Sequence, residues 1–375
     1  KYGLVCLQHE KPFEGVNGSG KHNNWSMSTT HENLLDPGDT PMENLQFLIF
    51  LAAVIKAVDE YADLLRTSVA TPGNDHRLGG NEAPPAIVSI FLGDELTEVL
   101  KAIEKDEFFT GHGAVQMDIG AKVLPHFVKD NTDRNRTSPF AFTGNKFEFR
   151  MLGSAASVAN PNIVLNTAVA EVLAEFSAAL KDVPEEEMEN AVHALLKKTI
   201  EEHKRIIFNG NGYTDEWVAE AERRGLPNVK TWVDSIKSVT EPTTVEMYEK
   251  FHILTKRELE ARAEVFYETY SKTLNIEAGT MIDMVTKKII PAVIKYENNL
   301  AASVNTIKSA YAAANISTQE GMLHEIAELL GETYKALKKL SDVNAKAVAM
   351  EGKEQAFYYK DVVKEAMDEL RAPVD

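Results

Sequence analysis

Over the second half of the chain, apolar residues recur at every third or fourth position. Ile282, Val285, Ile289, Val293, Tyr296, Leu300, Val304, Ile307 and Tyr311 keep this spacing throughout, which predicts one face of a long helix. Pro291 lies inside that run, so a kink or break is expected there. Leu323, Ile326, Leu330, Tyr334, Leu337 and Leu340 make a second stripe, and residues 343–371 a third, more polar one. Thr243-Thr244-Val245-Glu246 and Ser317-Thr318-Gln319-Glu320 read as capping boxes. Thr214 before Asp215, with Gly225 and Pro227 behind, brackets a short helix, and Pro184-Glu185-Glu186-Glu187 puts proline and acids in a first turn. Long striped helices with short links predict an antiparallel bundle.

The first half is patterned differently. Residues 1–30 read as strands around a Gly-rich loop. Pro41 to about Ala70 reads as one long helix, with Pro72-Gly73 beyond its end. Ile87–Phe91 is short, apolar and β-branched, hence a strand. A helix over Glu95–Lys105 follows, then a loop around Gly111-His112-Gly113. Phe140–Met151 returns to strand, and helix begins near Asn162. The expected fold is therefore α+β: antiparallel strands flanked by helices over residues 1–184, then a helical extension over 185–375.

Composition narrows the function classes. A net charge of −17 without a basic cluster argues against nucleic acid and against anionic membrane surfaces. Cys6 is the only cysteine, which fits a reducing compartment and leaves no intrachain disulfide. The apolar run Leu45–Ile55 stops at Lys56 and Asp59. It is too short to span a bilayer and reads as a buried helix.

Chemistry concentrates in Asn17-Gly18-Ser19-Gly20-Lys21-His22-Asn23-Asn24-Trp25-Ser26. Glycines let the backbone approach a ligand, and a histidine behind such a loop can hold a metal. Gly15 to His22 nearly matches the P-loop pattern. His22 stands where the magnesium-binding hydroxyl belongs, however, and no helix-forming segment follows. Downstream, Phe147-Glu148-Phe149-Arg150 alternates, so on a strand Glu148 and Arg150 share one face and the phenylalanines the other. From the residues alone, Glu148 reads equally as a metal ligand or as one half of an ion pair.

Taken in order, Asn17–Ser26, Arg77-Leu78-Gly79-Gly80-Asn81-Glu82-Ala83-Pro84, Arg134-Asn135-Arg136-Thr137-Ser138, Phe147–Arg150 and Asn160-Pro161 resemble the motifs of glutamine synthetases. The likeness is to N-G-S-G-x-H-x-x-x-S, R-L-x-x-G-x-E-A-P with one residue fewer, R-N-R-S, I-E-x-R and N-P. These motifs span about residues 1–180, and the long helical region behind them looks like the type III form, the large bacterial one. The resemblance implies ATP-dependent ligation of ammonia to the γ-carboxylate of L-glutamate through γ-glutamyl phosphate, with Mg2+ or Mn2+. It implies His22 and Glu148 as metal ligands, and Asn17, Gly18 and Arg77 on glutamate. Asn24, Ser26, Arg136 and Lys146 would face the nucleotide. Arg150 would neutralise the transferring phosphoryl group, and Glu82 would take the proton from the attacking nitrogen. Lys146 replaces the family's usual arginine, Asn24 its usual histidine, and Phe140 or Ala141 a further arginine.

The family further implies a cytoplasmic homo-oligomer of stacked rings, a dodecamer. Because the chain starts at Lys1 inside an apolar run, carboxylate-rich strands are expected upstream, and these 375 residues alone are expected to be inactive. Two other readings stand beside this one: a γ-glutamyl-amine ligase of the same superfamily, and a non-catalytic helical interaction protein.

Overall fold

A computed structural model describes residues 2–3, 10–11, 15–80, 83–107, 116–117, 127–128 and 135–375. The expectations for Cys6, Glu82, Arg134 and the Gly111–Gly113 loop lie outside these residues. The chain forms two compact units, Lys1–Glu260 and Ala261–Asp375. This boundary falls well after residue 184, the expected end of the first domain, because the helices just past 184 pack into the first unit.

The first unit contains β1 (Gly20–Trp25), α1 (Leu45–Glu60), α2 (Ala62–Ser68), α3 (Pro72–Arg77), β2 (Ile90–Phe91), α4 (Asp94–Lys105), β3 (Gln116–Met117), β4 (Phe127–Val128), β5 (Phe140–Phe142), β6 (Phe147–Gly153), α5 (Ala159–Leu180), α6 (Met188–His203), α7 (Asp215–Arg223), α8 (Trp232–Ser235) and α9 (Pro242–Lys250). It is mixed α+β, as the pattern predicts. One sheet has the order β1-β6-β5-β2, antiparallel except for the parallel β2–β5 pair, and β3 pairs with β4 in a separate ribbon.

Several boundaries differ from those the sequence suggests. The long helix expected from Pro41 starts four residues later, where the Asn44 side chain accepts from Phe47 N–H, and it breaks at Tyr61. The expected strand over Phe140–Met151 is a hairpin, turning where Thr143 N–H donates to the Lys146 carbonyl. Thr243-Thr244 lies inside α9 rather than capping it, because Pro242 takes the first helical position.

Phe140, Phe142, Phe147 and Phe149 are buried on β5 and β6. Phe140 stacks on Phe147 at 4.7 Å and meets Phe149 edge-on. Beside this aromatic core, α5 packs on α1 and α2. By length and composition α5 is apolar enough to cross a membrane, yet Val164, Leu165, Ala168, Val169 and Val172 are buried within the unit.

The second unit holds most of α10 (Lys256–Met284), a wider π-helical turn (Val285–Ile289), α11 (Ile290–Ala310), α12 (Ser317–Val348), α13 (Gly352–Tyr358), a second π turn (Tyr359–Val363) and α14 (Lys364–Arg371). The π turn absorbs the disturbance expected at Pro291, which sits in the first turn of α11. Ser317 is the first residue of α12, not its cap. Ala263, Tyr267, Tyr270, Leu274 and Ala278 are buried on α10, as are Leu337, Leu340 and Ala347 on α12 and Tyr359, Val363, Ala366 and Leu370 near the end of the chain. None of α11 is buried.

Candidate active site

Two adjacent strands build the site. Asn24 pairs with Glu148, Asn23 with Phe149 and Trp25 with Phe147. Alternation then puts His22, Asn24, Glu148 and Arg150 on one face, and Asn23 and Trp25 on the other. The inner face is tied to α5: Asn23 Nδ2 donates to Asn162 Oδ1 at 2.7 Å, and Trp25 Nε1 to Asn166 Oδ1 at 2.8 Å. Between the Lys21–Leu152 and Asn23–Phe149 pairs the register shifts. Arg150 and Met151 therefore both lie against His22, a β-bulge that re-aims side chains next to the polar face.

On that face three side chains form a chain. His22 Nδ1 lies 2.9 Å from Glu148 Oε1, and Arg150 Nε donates to Glu148 Oε2 at 2.9 Å. Arg150 Nη2 also donates to Oε2, and Nη1 holds the Asn135 and Ser138 carbonyls. Burial pushes the Glu148 carboxyl up, but the hydrogen bond and charge of Arg150, helped by His22, bring it below the usual carboxylate range. Glu148 is thus held ionised, with its Oε1 side turned to the exposed His22. The ion-pair reading of Glu148 and its metal reading are compatible, because they use different oxygens.

Arg77 is buried at the end of α3. Its Nη1 donates to the Met151 and Leu152 carbonyls at 3.2 and 3.3 Å, and Nη2 to the Arg150 carbonyl at 3.1 Å. A methyl group at Gly18 would stand 2.6 Å from Arg77 Cγ, and one at Gly20 would collide with the guanidinium. The glycines of the loop are therefore required by the close approach of this arginine. Arg77 Nε is buried with no partner among the described residues.

The elements behind Arg77 went unnoticed in the sequence. Asn74 Nδ2 donates to the Val69 and Met151 carbonyls, both at 2.8 Å. Buried Arg66 on α2 holds Asp75 on α3 at 2.8 Å and the Val229 carbonyl at 2.9 Å, which fixes the helix carrying Arg77.

The other expected residues surround this centre. Ser26 Oγ lies 2.9 Å from both the Asn145 carbonyl and Asn33 Oδ1, so it braces the β5–β6 turn that carries Lys146. Asn24 and Arg136 are exposed and Lys146 half-buried. Arg136 follows Asn135, whose side chain clamps the Asn209 and Gly210 carbonyls at 3.2 and 2.7 Å. Asn17 and Gly18 precede β1 beside Arg77. Glu82 lies outside the described residues. Away from this centre, His203 bonds buried Asp59 at 2.9 Å.

Among the described residues no three His, Cys, Asp or Glu gather round one point. His22 and Glu148 fit a divalent cation as two donors of a larger set, since hard ions take six or more ligands, mostly oxygen.

Comparison with known proteins agrees with the motifs. Residues 191–308 match the glutamine synthetase C-terminal domain. The whole chain is 49% identical to a glutamine synthetase of Butyrivibrio fibrisolvens, covering 54% of that protein. It is 45% identical over 93% of its length to a type-3 glutamine synthetase of Dictyostelium discoideum, covering 48% of it, and 38% identical to a Bacteroides fragilis (strain YCH46) glutamine synthetase. The chain is a homologue of glutamine synthetases along its whole length, and it spans about half the length of these curated relatives. The likeness extends past residue 180 into the helices, beyond the motifs that first carried it.

Proposed function

We propose that the chain belongs to the catalytic polypeptide of an ATP-dependent glutamate–ammonia ligase that makes glutamine. The observation that carries this reading is the His22–Glu148–Arg150 chain on the exposed face of β1 and β6. A γ-carboxylate oxygen of glutamate bonds to the γ-phosphorus of ATP while the bond to ADP breaks. Ammonia then attacks the acyl carbon, phosphate leaves with its oxygen, and the nitrogen loses a proton. Both steps gather negative charge, which cationic groups must offset.

His22 and Glu148 would hold one Mg2+ or Mn2+, which when bound neutralises phosphate charge. Arg150 keeps Glu148 ionised and oriented, and lends its own charge to the transferring phosphoryl group. Asn17, Gly18 and Arg77 would bind glutamate. Arg136, Lys146, Asn24 and Ser26 would face the nucleotide, and Glu82 would take the ammonia proton. The assembly would be a cytoplasmic homo-oligomer of stacked rings, a dodecamer. Manganese titration of the complete protein, by calorimetry and by turnover, tests the reading. Glu148→Ala and His22→Ala should each raise the metal concentration required about tenfold or more, as loss of a direct ligand does. Unchanged manganese dependence in both variants refutes it.

A further inference from the structure

Between α6 and α7 the chain reads Ile207-Phe208-Asn209-Gly210-Asn211-Gly212-Tyr213. This stretch lies past residue 184, inside the part that matches the glutamine synthetase C-terminal domain. Its first residues join the sheet: Ile207 bridges Ile90 in parallel, and Phe208 N–H donates to the Ile90 carbonyl at 2.8 Å. Asn209 then fastens the start of α4. Its Oδ1 accepts from Leu92 and Gly93 N–H at 3.1 and 3.3 Å, and its Nδ2 donates to Thr97 Oγ1 at 2.6 Å.

From this anchor the loop runs onto residues 135–138. Gly212 N–H donates to Thr137 Oγ1 at 2.8 Å, and Thr137 N–H to Asn135 Oδ1 at 3.0 Å. A methyl group at Gly212 would stand 2.7 Å from the Thr137 carbonyl oxygen, so this approach requires glycine. The Tyr213 hydroxyl donates to the Arg136 carbonyl at 3.2 Å. Burial lowers the Arg77 guanidinium, and the nearby Tyr213 phenol and Glu10 oppose this. One residue from beyond the expected end of the first domain thus stands within reach of two arginines of the site.

We propose that Tyr213 is a positioning residue that acts through Arg136. Arg150 Nη1 holds the peptide before Arg136, at the Asn135 carbonyl, and Tyr213 holds the peptide after it. An exposed arginine gives up much side-chain freedom when it meets a ligand. A backbone already pinned on both sides leaves less to lose on binding. This role rests on the reading above, in which the Arg136 guanidinium meets the ATP phosphates.

The test is a double-mutant cycle on the complete protein. Affinity for magnesium ATP is read by calorimetry, without glutamate or ammonia. Arg136→Ala should weaken ATP about tenfold or more, as loss of a charged hydrogen bond does. Tyr213→Phe keeps the ring and loses the hydroxyl. It should weaken ATP roughly threefold to tenfold, with circular dichroism unchanged. In the Arg136→Ala background the same change should cost nothing further, which a general loosening of the loop would not reproduce. Wild-type affinity in Tyr213→Phe, with Arg136→Ala weakened, overturns the proposal alone. So does a further loss in the Arg136→Ala background as large as the loss Tyr213→Phe causes by itself. Wild-type affinity in Arg136→Ala overturns the reading of Arg136, and the role of Tyr213 with it.

Discussion

The β1–β6 region and the helical second unit use glycine and polar residues in opposite ways. Around the strands, Gly18 and Gly20 exist because Arg77 passes where a side chain would be. In the helices, Gly279, Gly321 and Gly331 face open space, and a methyl added at any of them would meet nothing within 4 Å. Arg77 and Arg150 are buried and bound to main-chain carbonyls, whereas the lysines of α11 are solvated. The site is thus organised by specific polar contacts between distant segments. The helical unit is organised mainly by the periodicity of its apolar positions, with few polar ties such as Asn344 to Asn275.

Substitutions can break that comparison. The largest effect is expected from Arg150→Ala, which strands Glu148 and frees two carbonyls. About 3–5 kcal/mol should be lost in denaturant unfolding, as for breaking a buried pair by one partner. A loss under about 1 kcal/mol would mean that water replaces the guanidinium freely. Next comes Gly20→Ala. Its methyl would meet Arg77 and stand 2.8 Å from the Leu152 carbonyl oxygen, costing about 1–3 kcal/mol by overpacking. Gly331→Ala should move the other way, raising stability by about 0.5–1 kcal/mol as helix propensity replaces backbone freedom. If both glycine variants shifted the melting temperature in the same direction, the contrast between the two regions would fail.

The last effect is a slope with pH. Burial raises the Asp75 carboxyl to about 6, the Arg66 charge and the Trp232 N–H opposing. Because the folded value lies above the ordinary 3.8, the stability that this group contributes is full below 3.8 and is lost as pH rises through 6. Carboxyl-carbon NMR should find one aspartate titrating near 6, absent in Asp75→Asn. An Asp75 resonance titrating near the ordinary value would remove the slope.

Legibility in the sequence followed the same division. The stripes of α11 and α12 and the alternation at Glu148 and Arg150 could be read directly, because periodicity is a local signal. The family motifs located His22, Arg77 and Glu148. Arg66 was invisible: its partners include Val229 and Lys230, more than 160 residues away, and nothing local marks it as buried. The clamps by Asn74, Asn135 and Asn162 were missed for the same reason. The break at Tyr61 went unseen because α1 and α2 are both apolar and follow each other with one residue between them. Both expected capping boxes sit one or two residues inside their helices, where they no longer cap.

The π turn at Val285–Ile289 makes the second unit a counting device. Such a turn holds one residue more than an α-helix needs for the same rise. Deleting any one residue there would let ordinary winding resume with the downstream helix close to its present phase, whereas the same deletion at the start of α11 would rotate everything beyond it by about 100°. After that second deletion Val293, Leu300, Val304 and Ile307 would all turn from α12 together, although no apolar residue had been replaced. Tyr359–Val363 carries the same surplus in the stretch that packs on α12. Between the two π turns the number of residues matters more than their identity: a conservative substitution shifts one contact, and a one-residue gap changes the phase of the whole seam.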